Sequence, residues 1–264
     1  MSASTTDTLA AADAVLTERR GALLLITLNR PEQRNAVNQA VAEGVSAALD
    51  ALDANAELRA GILVGAGDGF CAGMDLEAFR TEGRPHVKGR GFAGIVQRSA
   101  AKPLIAAIEG FAVAGGLEIA LACDLIVAAS NARVGLPEVR RGLVPTGGAL
   151  LHLPRRVPYQ LAMDLVLTGR LVEAEQLAPF GLVARTTPPG QALEIALALA
   201  NDIARNAPLA TAAAKAVLRD ASQLHEEKAW ARQAEHTDHV LCSQDAQEGA
   251  RAFVEKREPA WQGR

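Results

Sequence analysis

The residues able to do chemistry fall in three short segments. Ala114-Gly115-Gly116-Leu117-Glu118 reads as the end of a strand, a Gly-Gly turn and the start of a helix. Backbone N–H groups in the first turn of a helix lack an intrahelical partner, and the helix dipole there favours negative charge. Two such groups brought in from two loops form an oxyanion hole. Glu118 sits in that first turn. An acid there can simply complement the dipole, but the apolar run from Ile119 to Cys123 argues for a helix buried on most sides. Gly135-Leu136-Pro137-Glu138 carries a second acid 20 residues further on. One helix, one strand and a return suffice to bring both carboxylates to one place. Paired acids then divide general-acid and general-base work if their surroundings separate their pKa values. Alone, Glu138 would be an ordinary solvated loop acid. The third segment, Phe70-Cys71-Ala72-Gly73-Met74-Asp75, follows an apolar strand and opens a helix. Its glycine lets the backbone turn sharply and aim free N–H groups at a ligand, although taken alone it reads equally well as a plain strand-to-helix loop.

Other reactive side chains form no comparable set. Cys71 has no base near it in sequence, which argues against a nucleophile. His236 and His239, spaced i and i+3 on a helix, read as surface residues because further metal ligands at suitable spacing are lacking. His86 and His152 have no recognisable partner in the sequence. Gly65-Ala66-Gly67 suggests a dinucleotide loop only superficially, since Asp68-Gly69 breaks the required spacing.

The elements that must hold these segments follow from patterning. Val15–Leu16 and Leu23–Leu28 flank Arg19-Arg20-Gly21 as a strand, turn and strand. Asn38 caps a helix to about Asp53, with Val41, Val45, Ala48, Leu49 and Leu52 on one face. Short apolar strands are predicted at 62–64, 104–108 and 125–129, a glycine-rich loop at 65–73, and a helix at 117–122 after a turn over 110–116. The polar segment 77–90 reads as irregular surface chain, and residues 85–94 are expected to help shape a pocket by lying between two site loops. Strands and helices alternate to about residue 185, which argues an α/β architecture. After Pro188-Pro189-Gly190 only helices are predicted, over 193–204, 209–218, 224–241 and 245–255.

The 264 residues are 49% hydrophobic and 22% charged, with a net charge of −3, which fits a globular chain and supplies no global basic field for nucleic acid. Aromatics at 3% make base-stacking platforms unpromising, so the core is to be filled by Ala, Val, Leu and Ile. Three scattered cysteines argue against a disulfide framework or zinc site and for a reducing compartment. Residues 1–14 lack the basic and apolar regions of a signal peptide and read as a disordered start. No run is long and uncharged enough to span a membrane. The cytoplasm is the expected location, with no nucleic-acid or membrane partner.

Taken together, these motifs resemble the enoyl-CoA hydratase/isomerase (crotonase) superfamily. The resemblance covers nearly the whole chain: Asn29-Arg30-Pro31 with Asn35-Ala36, Phe70 to Asp75, Gly115-Gly116-Leu117-Glu118, Cys123-Asp124, Gly135 to Glu138, and Glu248-Gly249, Ala252-Phe253 and Glu255-Lys256-Arg257 at the end. It implies an α/β core over residues 15–190, built as a spiral of ββα-type turns, and a helical oligomerisation region over 191–264 that assembles homotrimers or hexamers. It implies an acyl-CoA substrate, with the thioester oxygen held by the amides of Met74 and Gly115. The acids of true hydratases fall on Glu118 and Glu138. Glu118 would take a proton from water as it adds to C3, and Glu138 would give one to C2. Further substrate contacts are implied at Ala72, Asp75, Leu76, Arg34 and Lys256. For Arg34 and Arg257, considered as charges alone, a solvated surface cation is the simpler reading. No metal or redox cofactor is implied, since coenzyme A belongs to the substrate. Two departures, Thr146 where many hydratases carry Gly and the bulky Met74, leave the acyl group open. The alternatives on the same scaffold are isomerisation, decarboxylation and thioester hydrolysis. A non-catalytic acyl-CoA-binding protein is the alternative of another class.

Overall fold

The computed structural model describes residues 14–222 and 224–264; of the N-terminal stretch expected to be disordered, all but Ala14 lies outside the described residues. The chain opens with β1 (Val15–Arg20) and β2 (Leu23–Leu28), then α1 (Gln39–Ala54) and β3 (Ala60–Gly65). There follow α2 (Leu76–Glu82), a small hairpin of β4 (His86–Val87) and β5 (Gly91–Phe92), then β6 (Leu104–Ile108) and β7 (Phe111–Val113). Next come α3 (Gly115–Ala122), β8 (Leu125–Ala129), β9 (Arg133–Gly135), α4 (Ala149–His152), α5 (Tyr159–Thr168), β10 (Val172–Glu173) and β11 (Arg185–Thr187). The chain closes with α6 (Ala192–Ala204), α7 (Pro208–Ala221), α8 (Glu226–Leu241) and α9 (Gln244–Glu255).

The strands wind into two layers. The larger sheet has the order β1-β2-β3-β6-β8-β11, parallel throughout except for the antiparallel β1/β2 pair. The smaller has the order β10-β9-β7. Isolated bridges of Cys71 with Ala112 and of Met74 with Val37 continue that second layer through the glycine-rich loop. Each turn of the spiral thus lays a strand in the large sheet, returns through the small one, and leaves by a helix. This is the crotonase fold expected from the resemblance.

Parallel strands buried on both faces alternate their side chains between two cores. Leu24, Ile26 and Leu28 enter the main core with the α1 face of Val41, Val45, Ala48, Leu49 and Leu52. Leu23, Leu25, Ile62, Ile105, Ala107 and Val127 point the other way, against Ala192, Ala196 and Ala200 of α6. Alanines at every fourth position let that helix lie close on the sheet. The change from mixed to purely helical chain near residue 190 is therefore not a packing boundary, because α6 covers the α/β core itself. Among the described residues no helix is long and apolar enough to cross a membrane.

Two local expectations are corrected. Residues 77–90 are not irregular throughout: Asp75 accepts from the amides of Glu77 and Ala78, both at 3.1 Å, and so starts α2, while His86 and Phe92 pair across the small hairpin. The turn over 110–116 contains β7, and the following helix begins at Gly115. Phe111 to Val113 extends because it pairs with Arg133 to Gly135, a partner invisible to local pattern.

Candidate active site

Three loops meet at a cavity of about 660 Å³: the glycine-rich loop after β3, the β7–α3 turn, and the chain after β9. Of the residues singled out in the sequence, Arg34, Ala72, Met74, Leu76, Gly115, Glu118 and Glu138 all line it. They span more than a hundred positions of chain, and the spiral brings them to one place.

The glycine-rich loop is pinned by Asn35, which is 1% exposed. Its Oδ1 accepts from the Arg30 amide at 3.0 Å, and its Nδ2 donates to the carbonyls of Ala66 and Gly69, each at 2.8 Å. Beyond it, the Val37 amide donates to the Gly73 carbonyl at 2.8 Å and the Asp75 amide to the Val37 carbonyl at 2.9 Å. In such a parallel bridge the intervening residue presents its own N–H to the opposite side. Met74 is that residue. On the facing loop, Ala114 takes φ 54° and ψ −126°, an uncommon conformation for a side chain with a Cβ, fixed by its amide donating to the Gly135 carbonyl at 2.9 Å. α3 then starts at Gly115. Among the described residues, neither the Met74 nor the Gly115 N–H has a protein acceptor. The loops are in contact, since a Cβ on Gly115 would lie 3.3 Å from the Gly73 Cα. Gly116 is obligatory for the same approach: a Cβ there would stand 2.1 Å from the Cys71 carbonyl oxygen.

All eight residues of α3 are buried, and Glu118 is 4% exposed. Burial pushes its carboxyl up to about 7, and the Glu138 charge adds to the rise; the amides of Ala149 and Gly147 oppose it. The Ala149 amide donates to Oε1 at 3.2 Å. Gly147 is packed so tightly that a Cβ would stand 2.4 Å from Oε2. Glu138 lies on a 3-10 turn, Pro137–Arg141, closed by Gly142 at φ 67°. Its carboxyl is also raised by burial, with Arg141 pulling the other way. Glu138 Oε2 is buried without a hydrogen-bond partner among the described residues, a costly state for a carboxylate and one that favours a proton or a bound donor there. The cavity thus combines two unpaired amide donors with two acids whose carboxyls both prefer the protonated form more than usual.

Two residues implied as substrate contacts are placed elsewhere. Asp75 does not line the cavity. It caps α2 and pairs with Arg30 at 2.9 Å, and although burial opposes this, the Ala78 amide and the Arg30 guanidinium hold its carboxyl below the usual range. Lys256 ends α9 at φ 53°, exposed and away from the cavity of its own chain. Arg34, by contrast, is more than a surface cation: its guanidinium lies 4.5 Å from the centre of the Phe111 ring, inside the cavity wall. Arg257 is bound to Glu248 and Glu255 on the surface. Cys71 is fully buried, its thiol pushed up to about 12 by burial, and lines no part of the cavity. His86 does have a partner, the Phe92 ring at 6.2 Å edge-on, and both line the cavity from the 85–94 segment.

Sequence reasoning missed the amides of Gly147 and Ala149 and the arginines at 84, 140 and 141. The Gly147-Gly148 pair was the available signal, since two glycines after a proline suit a backbone that must approach another group closely.

A sequence profile of the enoyl-CoA hydratase/isomerase family matches residues 18–264. An enoyl-CoA hydratase of Mycobacterium tuberculosis is 42% identical over 257 residues, which span 94% of this chain and 96% of that protein. A carnitinyl-CoA dehydratase of Salmonella typhimurium is 39% identical over 254 residues, spanning 93% and 97%. Among solved structures, an enoyl-CoA hydratase from Mycobacterium marinum superposes with a TM-score of 0.93 at 49% identity, covering 96% of this chain and 100% of that one. A likeness that runs through both sequence and spiral over almost the full length settles kinship: the chain is an enzyme of the enoyl-CoA hydratase/isomerase family, within the crotonase superfamily.

Proposed function

We propose that the chain hydrates 2-enoyl-CoA thioesters to 3-hydroxyacyl-CoA. The observation that carries this reading is the meeting of two acids, Glu118 and Glu138, in one cavity with two unpaired backbone donors, at Met74 and Gly115. The thioester oxygen accepts from both amides. Water adds to C3, and the electron pair of the C2=C3 bond moves toward the carbonyl, so that negative charge grows on the oxygen those amides face. Loss of one such donor in other enzymes costs about 2.7–4 kcal/mol of barrier. Glu118, held by the Ala149 and Gly147 amides, takes the proton that water loses. Glu138 gives a proton to C2. Written this way, the reaction consumes water and needs no electron acceptor, which is why the reading assigns no metal or redox cofactor.

The remaining parts of the reading are positional. The Ala72 carbonyl and Arg34 serve the coenzyme end, and Leu76 the acyl wall. Lys256 reaches the ligand of a neighbouring subunit in a trimer or hexamer. Exposed apolar side chains on the last two helices, Leu241 at 75% and Phe253 at 86%, support such assembly. The cytoplasm remains the proposed location.

The test is hydration of crotonyl-CoA, followed by loss of the conjugated thioester absorbance. Wild-type protein is expected to turn it over, and Glu118→Gln and Glu138→Gln to lose about 10²–10⁴-fold in kcat. Near-wild-type hydration by Glu138→Gln would remove that acid from the mechanism. Turnover of a 3-enoyl-CoA but not of crotonyl-CoA would replace hydration by isomerisation.

A further inference from the structure

The charged lining of the cavity is lopsided. It holds four arginines, Arg34, Arg84, Arg140 and Arg141, against two acids, Glu118 and Glu138. Coenzyme A brings phosphates that call for cations, but the four are not equivalent in place. Arg34 belongs to the coenzyme end: its carbonyl accepts from the Ala72 amide at 3.0 Å and its guanidinium is stacked on Phe111. Arg140 is already engaged, its Nε donating to the Thr168 carbonyl at 2.9 Å. Arg141 differs from both. It has no ion pair or hydrogen bond among the described residues, and it lines the cavity. Arg84 lines the cavity equally unpaired among the described residues, but Arg141 alone of the four stands at i+3 from Glu138 on a shared 3-10 turn. Side chains three apart on a 3-10 turn eclipse one another, so Arg141 stands on the same face as the acid that serves C2.

We propose that Arg141 is a specificity residue that binds a carboxylate at the far end of the acyl chain, so that the enzyme favours 2-enoyl-CoA thioesters ending in an anionic group. The proposal rests on the hydratase reading for the placement of the acyl chain. With the thioester oxygen at the Met74 and Gly115 amides and C2 and C3 between the two acids, the carbons beyond C3 on this proposal run along the wall that Arg141 shares with Leu143 and Val144. A five-carbon chain carries its terminal group only a few ångströms past C3. A planar guanidinium in that position matches a carboxylate with two parallel hydrogen bonds. A trimethylammonium group, as in a carnitinyl chain, meets a like charge there and no ionised acid besides the catalytic pair. On that placement the chain disfavours a carnitinyl thioester, although a carnitinyl-CoA dehydratase is 39% identical to it.

The experiment compares kcat/KM for three thioesters: crotonyl-CoA, a five-carbon 2-enoyl-CoA ending in carboxylate, and a 2-enoyl-CoA ending in trimethylammonium. In parallel, calorimetry measures binding of the three saturated analogues. Wild-type protein is expected to favour the carboxylate over the trimethylammonium substrate by about tenfold or more, the scale of a charge-assisted hydrogen bond. Arg141→Ala and Arg141→Gln are expected to lower the carboxylate-to-crotonyl ratio by about tenfold. The ratio is the readout because loss of a charge near Glu138 alters turnover of every substrate. Equal or reversed preference in the wild type overturns the proposal. So does an equal rise in KM for all three thioesters in the variants, which would place a coenzyme phosphate on Arg141. If the wild type hydrates none of the three, the hydratase reading fails and the binding series decides the rest. Tighter binding of the carboxylate analogue that is lost in both variants upholds the anion site, and equal binding refutes it.

Discussion

Glu118→Gln should change the pH dependence of stability in a direction opposite to that of most surface acids. The carboxyl is 4% exposed, and burial with the nearby Glu138 charge lifts it from an ordinary 4.5 to about 7 despite the opposing amides of Ala149 and Gly147. Each pH unit between the folded and unfolded values is worth about 1.4 kcal/mol, so ionising Glu118 inside the fold costs ~3 kcal/mol. The sign follows from proton counts. Between pH 4.5 and 7 the folded chain keeps a proton at this site that the unfolded chain has lost, so stability falls as pH rises through that window. Below 4.5 both states are protonated and the cost is absent; above 7 it is fully present.

Glutamine does not titrate. The stability of Glu118→Gln relative to wild type should therefore rise by ~3 kcal/mol between pH 4 and pH 8.5. The substitution also has constant terms, chiefly an amide NH₂ set against one of the backbone donors, but these are the same at every pH and drop out of the comparison. Urea unfolding midpoints at one fixed protein concentration supply the measurement, since association would otherwise shift them. Two stability curves that run parallel from pH 4 to 8.5 would show that Glu118 titrates normally. Burial would then not be what makes Glu118 a stronger base than an ordinary carboxylate.

Two further outcomes follow from the same geometry. The kcat/KM for crotonyl-CoA should climb with pH on its acid side with an apparent midpoint at about 7, because Glu118 must be ionised to take the proton from water; a flat profile from pH 5.5 to 7.5 would assign that task elsewhere. Gly147→Ala sets a methyl 2.4 Å from Glu118 Oε2, so the carboxylate must swing away. The expected loss is about 10²-fold or more in kcat with a near-normal circular dichroism spectrum, and unchanged turnover would mean the base is not positioned by that amide.

The contrast between what the sequence discloses and what it withholds has a physical cause. α1 is legible because its cap, Asn38, accepts from the Val41 amide at 3.1 Å and its apolar positions repeat at helical spacing, both within a few residues. The pairing of Glu118 with Glu138 is legible as spacing, since only β8 and the short return through β9 lie between them. β7 is hidden, because three residues become a strand only when β9 returns beside them. The same distance effect hides the base's own supports. The Gly147-Gly148 pair signals a close backbone approach, but not that the group approached is a side chain 29 positions earlier; that follows from α4 packing on α3, and a packing contact has no local pattern. Asp75 illustrates the converse. Lying beside the oxyanion loop, it invites a ligand role, yet two amides and Arg30 already use both of its oxygens. Arg141 is the opposite case, a charge with no ion pair or hydrogen bond among the described residues, whose eclipsed position beside Glu138 depends on a 3-10 turn that Pro137 begins and Gly142 ends. Proximity in sequence nominates residues for a site. Whether the fold has already satisfied their hydrogen bonds decides which of them remain available to a substrate.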